Sequence, residues 1–220
     1  MISTIGASIA PGVALLSYFY LKDRYQTEPL HLVIKTFVFG ILLVFPVMVL
    51  QYGLQEELEL GVFTKAFFIS GLLEEFFKWF VVYSTVYKHV EFDEPYDGIV
   101  YSVAVSLGFA TLENFFYLYS FGVEEALMRA LLPVSSHALF GVTMGYYMGK
   151  GKFHPSSSIQ KRFLLCSVFI PVILHGFYDY VLLVSTEHYL WVLAPFLILF
   201  WILSIWRIDK VQAKSKSPSF

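Results

Sequence analysis

The chain has 220 residues, 57% of them hydrophobic and 15% charged, with a formal net charge of -2. An ordinary soluble domain is about 45–50% apolar and about 25% charged, so a soluble fold is excluded. At about 20 residues per crossing there is room for about seven spans but not for a separate soluble domain. No basic stripe is present, which argues against a nucleic-acid partner.

Seven apolar runs follow in chain order, at 4–21, 32–52, 64–87, 98–121, 130–149, 163–185 and 189–206. Each is long enough to cross a bilayer as a helix. The predicted fold is therefore an all-α polytopic membrane protein of about seven transmembrane helices, a single domain over 1–206 followed by a loose polar cytoplasmic tail at 207–220. Residues 1–17 hold no Lys or Arg, so the positive start of a cleavable signal peptide is missing and the first run is expected to stay as a helix. Basic residues set the orientation. The connectors after runs one, three, five and seven carry Lys22, Arg24, Lys88, Lys150, Lys152, Lys161, Arg162, Arg207, Lys210, Lys214 and Lys216, whereas the other side has only Lys65 and Arg129. That bias predicts an amino terminus outside and a carboxyl terminus in the cytoplasm. Tyr18, Tyr20, Tyr87, Trp191 and Trp206 lie near run ends as interfacial anchors. The single cysteine, Cys166, excludes an internal disulfide and reads as a small core residue. Glu28 and Asp97 flank inner helix ends, where they suit caps or partners for Lys88 or Arg24, and the acidic stretch 56–59 reads as a solvated outer loop.

Four of the runs carry groups that lipid disfavours: Glu74, Glu75 and Lys78; Glu113 and Asn114; His137; and His175 with Asp179. A charge at the centre of a lone membrane helix costs roughly 3 kcal/mol or more, so these groups are expected to meet. At about 1.5 Å per residue, Glu75 lies roughly 16 Å from the outer end of its run, Glu113 and His137 roughly 10 Å and His175 roughly 15 Å. One polar chamber in the outer half or near the middle of the bilayer accommodates them all. Glu74 and Glu75 are four and three residues before Lys78, spacings that let the lysine hold a carboxylate ionised beside a second one suited to general-base work. His175 and Asp179 share a helical face, which suits two metal ligands or an Asp that orients its His.

Two chemistries fit this set. In one, a Glu deprotonates water for attack on a peptide carbonyl while His or Asn side chains steady the oxyanion and return a proton to the leaving amine. In the other, His137, His175 and a carboxylate drawn from Glu113 or Asp179 hold a zinc ion, with Glu75 as base. No organic cofactor is called for. A proton-coupled transporter or channel is the main rival, since intramembrane Glu, His and Asp also build proton relays. Such a pathway needs groups staggered across the membrane, and no inverted repeat is evident. A non-catalytic membrane scaffold is the other.

The same residues carry a resemblance. Glu28-Pro29, Glu74-Glu75-x-x-Lys78, the stretch from Asp93 to Tyr101, Gly108-Phe109-Ala110 with Glu113-Asn114, Ser136-His137, and His175 with Asp179 resemble the PrsW family of bacterial intramembrane proteases. That family is in turn similar to the type II CAAX prenyl endopeptidases, whose motifs are Glu-Glu-x-x-x-Arg, Phe-x-x-x-His and His-x-x-x-Asn. Here Lys78 stands one residue early, Glu113 takes the place of a His and Asp179 that of an Asn. The added carboxylates favour a cation. The resemblance implies an enzyme of the bacterial cell membrane that makes the first, extracytoplasmic-side cut in a single-span anti-sigma factor, with the lipid bilayer as its other partner. A prenylated substrate is not implied.

Overall fold

The structure, a computed structural model, describes residues 1–23, 25–185 and 187–215, the last two without their side chains. Seven helices and no strand make up the described residues. Helix α1 is Ile2–Leu21 and α2 is Leu30–Glu57. Helix α3 runs over 62–85 in three windings: a first turn Val62–Thr64, a wider π-helical stretch Lys65–Leu72, and an α-helix Leu73–Thr85. Helix α4 is Asp97–Phe121. Helix α5 covers Val123–Lys152, with a second π-helical stretch at Ala130–Val134. Helix α6 is Ser157–Val184 and α7 is Tyr189–Ser215.

All but α3 are long and apolar enough to cross a membrane. Helix α3 is comparably long, and its charges are the ones that mark the chemistry. The expected polytopic all-α architecture is therefore the observed one.

Helix α4 is the hub, buried along most of its length and packed against α1, α2 and α5. Lipid gives helices no hydrophobic reason to associate, so tight contact through small residues does that work. The α4–α5 crossing shows it. Gly141, Gly145 and Gly149 recur every four residues on one face of α5, and a methyl group added at Gly145 would collide with the Gly98 backbone of α4.

The connectors after α1, α3 and α5 meet the end of α7 at one pole of the bundle. Gln26 Nε2 donates to Asp93 Oδ2 at 2.8 Å, Lys152 Nζ donates to the Tyr87 carbonyl at 2.7 Å, and Lys22 Nζ lies 3.7 Å from Asp209 Oδ1. The basic connectors thus share one end. Arg24 and Lys216 of that group lie outside the described residues, as does the side chain of Lys214.

One expectation changes here. The stretch after Trp206, expected to be loose, stays helical to Ser215, while 216–220 lie outside the described residues. Ile208 and Val211, three residues apart, are buried, Arg207 Nη1 donates to Thr143 Oγ1 at 2.8 Å, and Gln212 Nε2 donates to the Lys22 carbonyl. An apolar face with polar anchors holds the helix in place. Glu28 is also met differently than expected: its carboxylate accepts from the Tyr101 hydroxyl, while Lys88 Nζ sits over the Tyr83 ring.

Candidate active site

The three charges of α3 lie on one helical face because three- and four-residue spacings bring side chains into line. That face turns inward. Gly71 and Gly176 let the π-helical part of α3 press against α6, since a methyl at Gly176 would strike the Phe67 ring and one at Gly71 would come 2.9 Å from the Val172 carbonyl oxygen. This close approach sets Glu75 beside His175. Lower down, Trp79 Nε1 donates to Ser167 Oγ at 2.9 Å and fixes the same pair of helices.

The result is one connected polar cluster. Lys78 Nζ, fully buried, lies 2.8 Å from Glu75 Oε1, 3.2 Å from Glu74 Oε2 and 3.1 Å from His137 Nδ1. It also sits 4.2 Å from the Phe109 ring centroid, a cation–π contact. An ammonium only donates, so His137 Nδ1 accepts, and Nε2 carries the hydrogen given to Glu113 Oε2 at 3.0 Å. His175 Nδ1 lies 3.0 Å from Glu75 Oε1, and its Nε2 lies 3.6 Å from Asp179 Oδ2 and 3.9 Å from Glu74 Oε2. With carboxylates facing both ring nitrogens, His175 is placed to donate from each.

Access is one-sided. Glu75 and Lys78 are sealed, whereas the side chains of Glu113 and Asp179 are 38% and 21% exposed. Those two lie toward the end where α4 and α6 finish, opposite the basic connectors. Asp179 is about 8 Å of helix from the end of α6 and Glu113 about 12 Å from the end of α4. The exposed edge of the cluster therefore lies toward the sparsely basic end.

All eight residues singled out from the sequence lie in or beside this cluster, in different places. Glu74, Glu75, His137 and His175 each offer a donor atom, and these four atoms lie within 4.8 Å of one another. Glu113 and Asp179 stand one step outward, each against a histidine. Asn114 faces away: its Nδ2 donates to the Ser8 carbonyl at 3.4 Å and its Oδ1 accepts from Arg129 Nε at 3.2 Å. Two site residues escaped the sequence. Gln51 Nε2 donates to Glu74 Oε1 at 3.2 Å, and Arg129 Nη2 reaches Glu113 Oε1 at 3.9 Å. An uncharged amide near the end of a run gives little signal, and Arg129 had stood out only as one of the two outer basic residues.

Four carboxylates here face two fixed cations, Lys78 and Arg129. A poorly solvated site does not hold such an excess cheaply. An imidazolium or a bound cation balances it, and either serves hydrolysis.

A sequence model of the family described as "PrsW family intramembrane metalloprotease" matches residues 28–205. The chain is 52% identical over 219 residues to the "Protease PrsW" of Geobacillus kaustophilus (strain HTA426), covering 98% of this chain and 95% of that protein. It is 48% identical over 214 residues to the one from Bacillus subtilis (strain 168), covering 97% of each. With the one from Clostridioides difficile (strain 630) the identity is 31% over 217 residues, covering 94% of this chain and 91% of that protein. No solved structure matches the chain. A match over most of the length, joined to a buried Glu/His cluster inside a helical membrane bundle, shows that the chain belongs to the PrsW family of intramembrane metalloproteases and is a multi-pass protease of the bacterial cell membrane.

Proposed function

We propose that this protease makes the first, extracytoplasmic-side cut in a single-span anti-sigma factor, beginning the release of an envelope-stress sigma factor. The resemblance read from the motifs supplies the substrate class. The side of the cut is supported by Glu113 and Asp179, the partly exposed members of the cluster, which lie toward the end with few basic residues.

The observation that carries the hydrolytic reading is a single oxygen. Glu75 Oε2 is buried and has no hydrogen-bond partner among the described residues, while Oε1 is clamped by Lys78 and His175. A carboxylate so anchored presents its free oxygen to a water and takes the proton as that water attacks the scissile carbonyl. The proton then leaves with the amine by way of His175, which contacts Glu75 at 3.0 Å and is oriented by Asp179. Asn114 is tied to Ser8 and Arg129, so steadying the oxyanion falls to the histidines.

The four clustered donors fit a zinc-class ion: two imidazoles and two carboxylates, buried, one of them with an orphan oxygen. When bound, such an ion supplies an acidified water and polarises the carbonyl. Lys78 Nζ contacts three of the same donors, so Glu74, Glu75, His137 and His175 would hold such an ion only with that ammonium displaced. Glu113 and Asp179, expected from the sequence among the ligands, would then be the outer partners that orient His137 and His175.

Purified protein in liposomes with a single-span anti-sigma substrate is expected to release one cut product, and Glu75→Gln or His175→Ala each to abolish it. Cleavage unchanged in both variants would remove the site assignment. Metal analysis of the same sample, with activity before and after chelation, decides between the two chemistries: full activity in metal-free protein retires the zinc ion and leaves the Glu75 step standing.

A further inference from the structure

At the basic pole of the bundle a cavity of about 270 Å3 lies between the end of α5, the α5–α6 connector and the last turns of α7. Lys150, His154 and Lys210 line it, together with Tyr146, Phe153 and Val211. Among the described residues no carboxylate does.

Aromatic rings, rather than acids, hold its cations. Lys150 Nζ donates to the Tyr146 hydroxyl at 3.3 Å and lies 5.0 Å from the centroid of that ring, while Arg207 Cζ stands 5.7 Å from the same centroid. Lys210 Nζ lies 4.6 Å over the Trp206 ring. Asp209, next to Lys210 in sequence, pairs with Lys22 instead, and no carboxylate among the described residues pairs with Lys150, Arg207 or Lys210. A ring face attracts a cation without neutralising it, so the cavity keeps a positive balance that favours an anion. His154 adds a neutral donor. Its Nδ1 accepts from the Ser156 amide at 3.1 Å, which leaves the hydrogen of an uncharged ring on Nε2.

Position narrows the choice of anion. Ile202, Leu203 and Trp206 of α7 are all exposed, so the helix presents a lipid-facing surface down to the turn before Lys210. A tryptophan so placed marks the head-group level. Lys150 is also about 20 Å along α5 from His137, more than the half-thickness of about 15 Å that separates the middle of the hydrocarbon from its edge. The cavity therefore sits where phosphates are.

We propose that this cavity binds the phosphate head group of an anionic phospholipid from the leaflet at the basic pole, with Lys150 and Lys210 on the phosphate and the acyl chains against α7 beside Trp206. Basic pockets between membrane helices suit such head groups. The volume is below the about 300–1,000 Å3 of sites that enclose a whole small molecule, so the chains stay outside. A lipid held there ties α5, the helix that carries His137, to α7. The proposed cut does not rest on it.

Full-length protein, delipidated in detergent and titrated with phosphatidylglycerol, is expected to show a saturable rise in unfolding midpoint and retained lipid adducts in native mass spectrometry. Phosphatidylcholine with the same chains, and glycerol 3-phosphate at matched concentration, are expected to do neither. Lys150→Gln and Lys210→Gln are each expected to raise the half-saturating concentration about fivefold, the worth of one basic residue at an anionic lipid surface. Lys88→Gln, at the same pole but away from the cavity, is expected to leave it unchanged. Should Lys150→Gln fail to accumulate, Lys210→Gln decides alone, because that side chain is exposed. Equal binding of the two lipids, a midpoint rise with glycerol 3-phosphate, no change in Lys210→Gln, or an equal loss in Lys88→Gln would overturn the proposal.

Discussion

Lys78 holds two carboxylates and an imidazole from a position with no solvent contact, so its removal and the removal of a carboxylate have unequal effects. Stripping one partner from a buried ion pair leaves a stranded charge, worth about 3 kcal/mol or more. Lys78→Ala is expected to lower membrane accumulation severalfold, and Glu75→Gln to accumulate near the parent level while losing cleavage. Equal amounts of both on immunoblots of membranes would count against the pairing. Much of this was legible beforehand, because charge inside an apolar run is conspicuous and each of the eight residues stands out alone. What periodicity could not supply is direction: Asn114 stands next to Glu113 in sequence, yet the roughly 100° turn between neighbours on a helix sends it to Ser8 and Arg129.

Between helices, the Gly176 contact sets the separation of α3 and α6. Gly176→Ala inserts a methyl against Phe67, and overpacking of this kind costs about 1–3 kcal/mol. The expected outcome is a lower unfolding midpoint and cleavage reduced at least tenfold, as Glu75 and His175 are pushed apart. A variant with parent activity and midpoint would show that the gap is not set there. Helix α7 offers a second test. Truncation after Trp206 removes the buried Ile208 and Val211 and the Arg207–Thr143 hydrogen bond, so it is expected to lower the midpoint by several degrees; a freely moving tail would leave it unchanged. The positions of the spans were readable from hydropathy, but the helices at Leu30–Glu57, Val123–Lys152 and Ser157–Val184 each run five to seven residues past the expected apolar run at one end. The helical stretch after Trp206 was not readable, because two apolar residues among polar ones carry too little periodic signal.

For the molecule as a whole, the gathering of the basic connectors at one pole and the exposed edge of the polar cluster toward the other predicts a sided protein. In a Cys166→Ala background, cysteines placed at Glu56 and Glu124 are expected to react with a membrane-impermeant maleimide on intact cells, and one at His154 only after permeabilisation. The reverse pattern would invert the assigned orientation and with it the side of the cut. Overall architecture was the most legible level, since seven apolar runs in so short a chain leave few alternatives. The winding of those helices was invisible, yet the π-helical stretches Lys65–Leu72 and Ala130–Val134 stand just before Glu74 and just before His137. A wide turn stores a surplus residue inside an otherwise ordinary helix. Deleting one residue from 65–72 should let that helix tighten while the segments above and below keep their facing, whereas the same deletion at 79–84 swings everything after it by about 100°. Natural length variation in this chain's descendants is therefore expected to concentrate in those two stretches, which serve as slack in an assembly that otherwise has none.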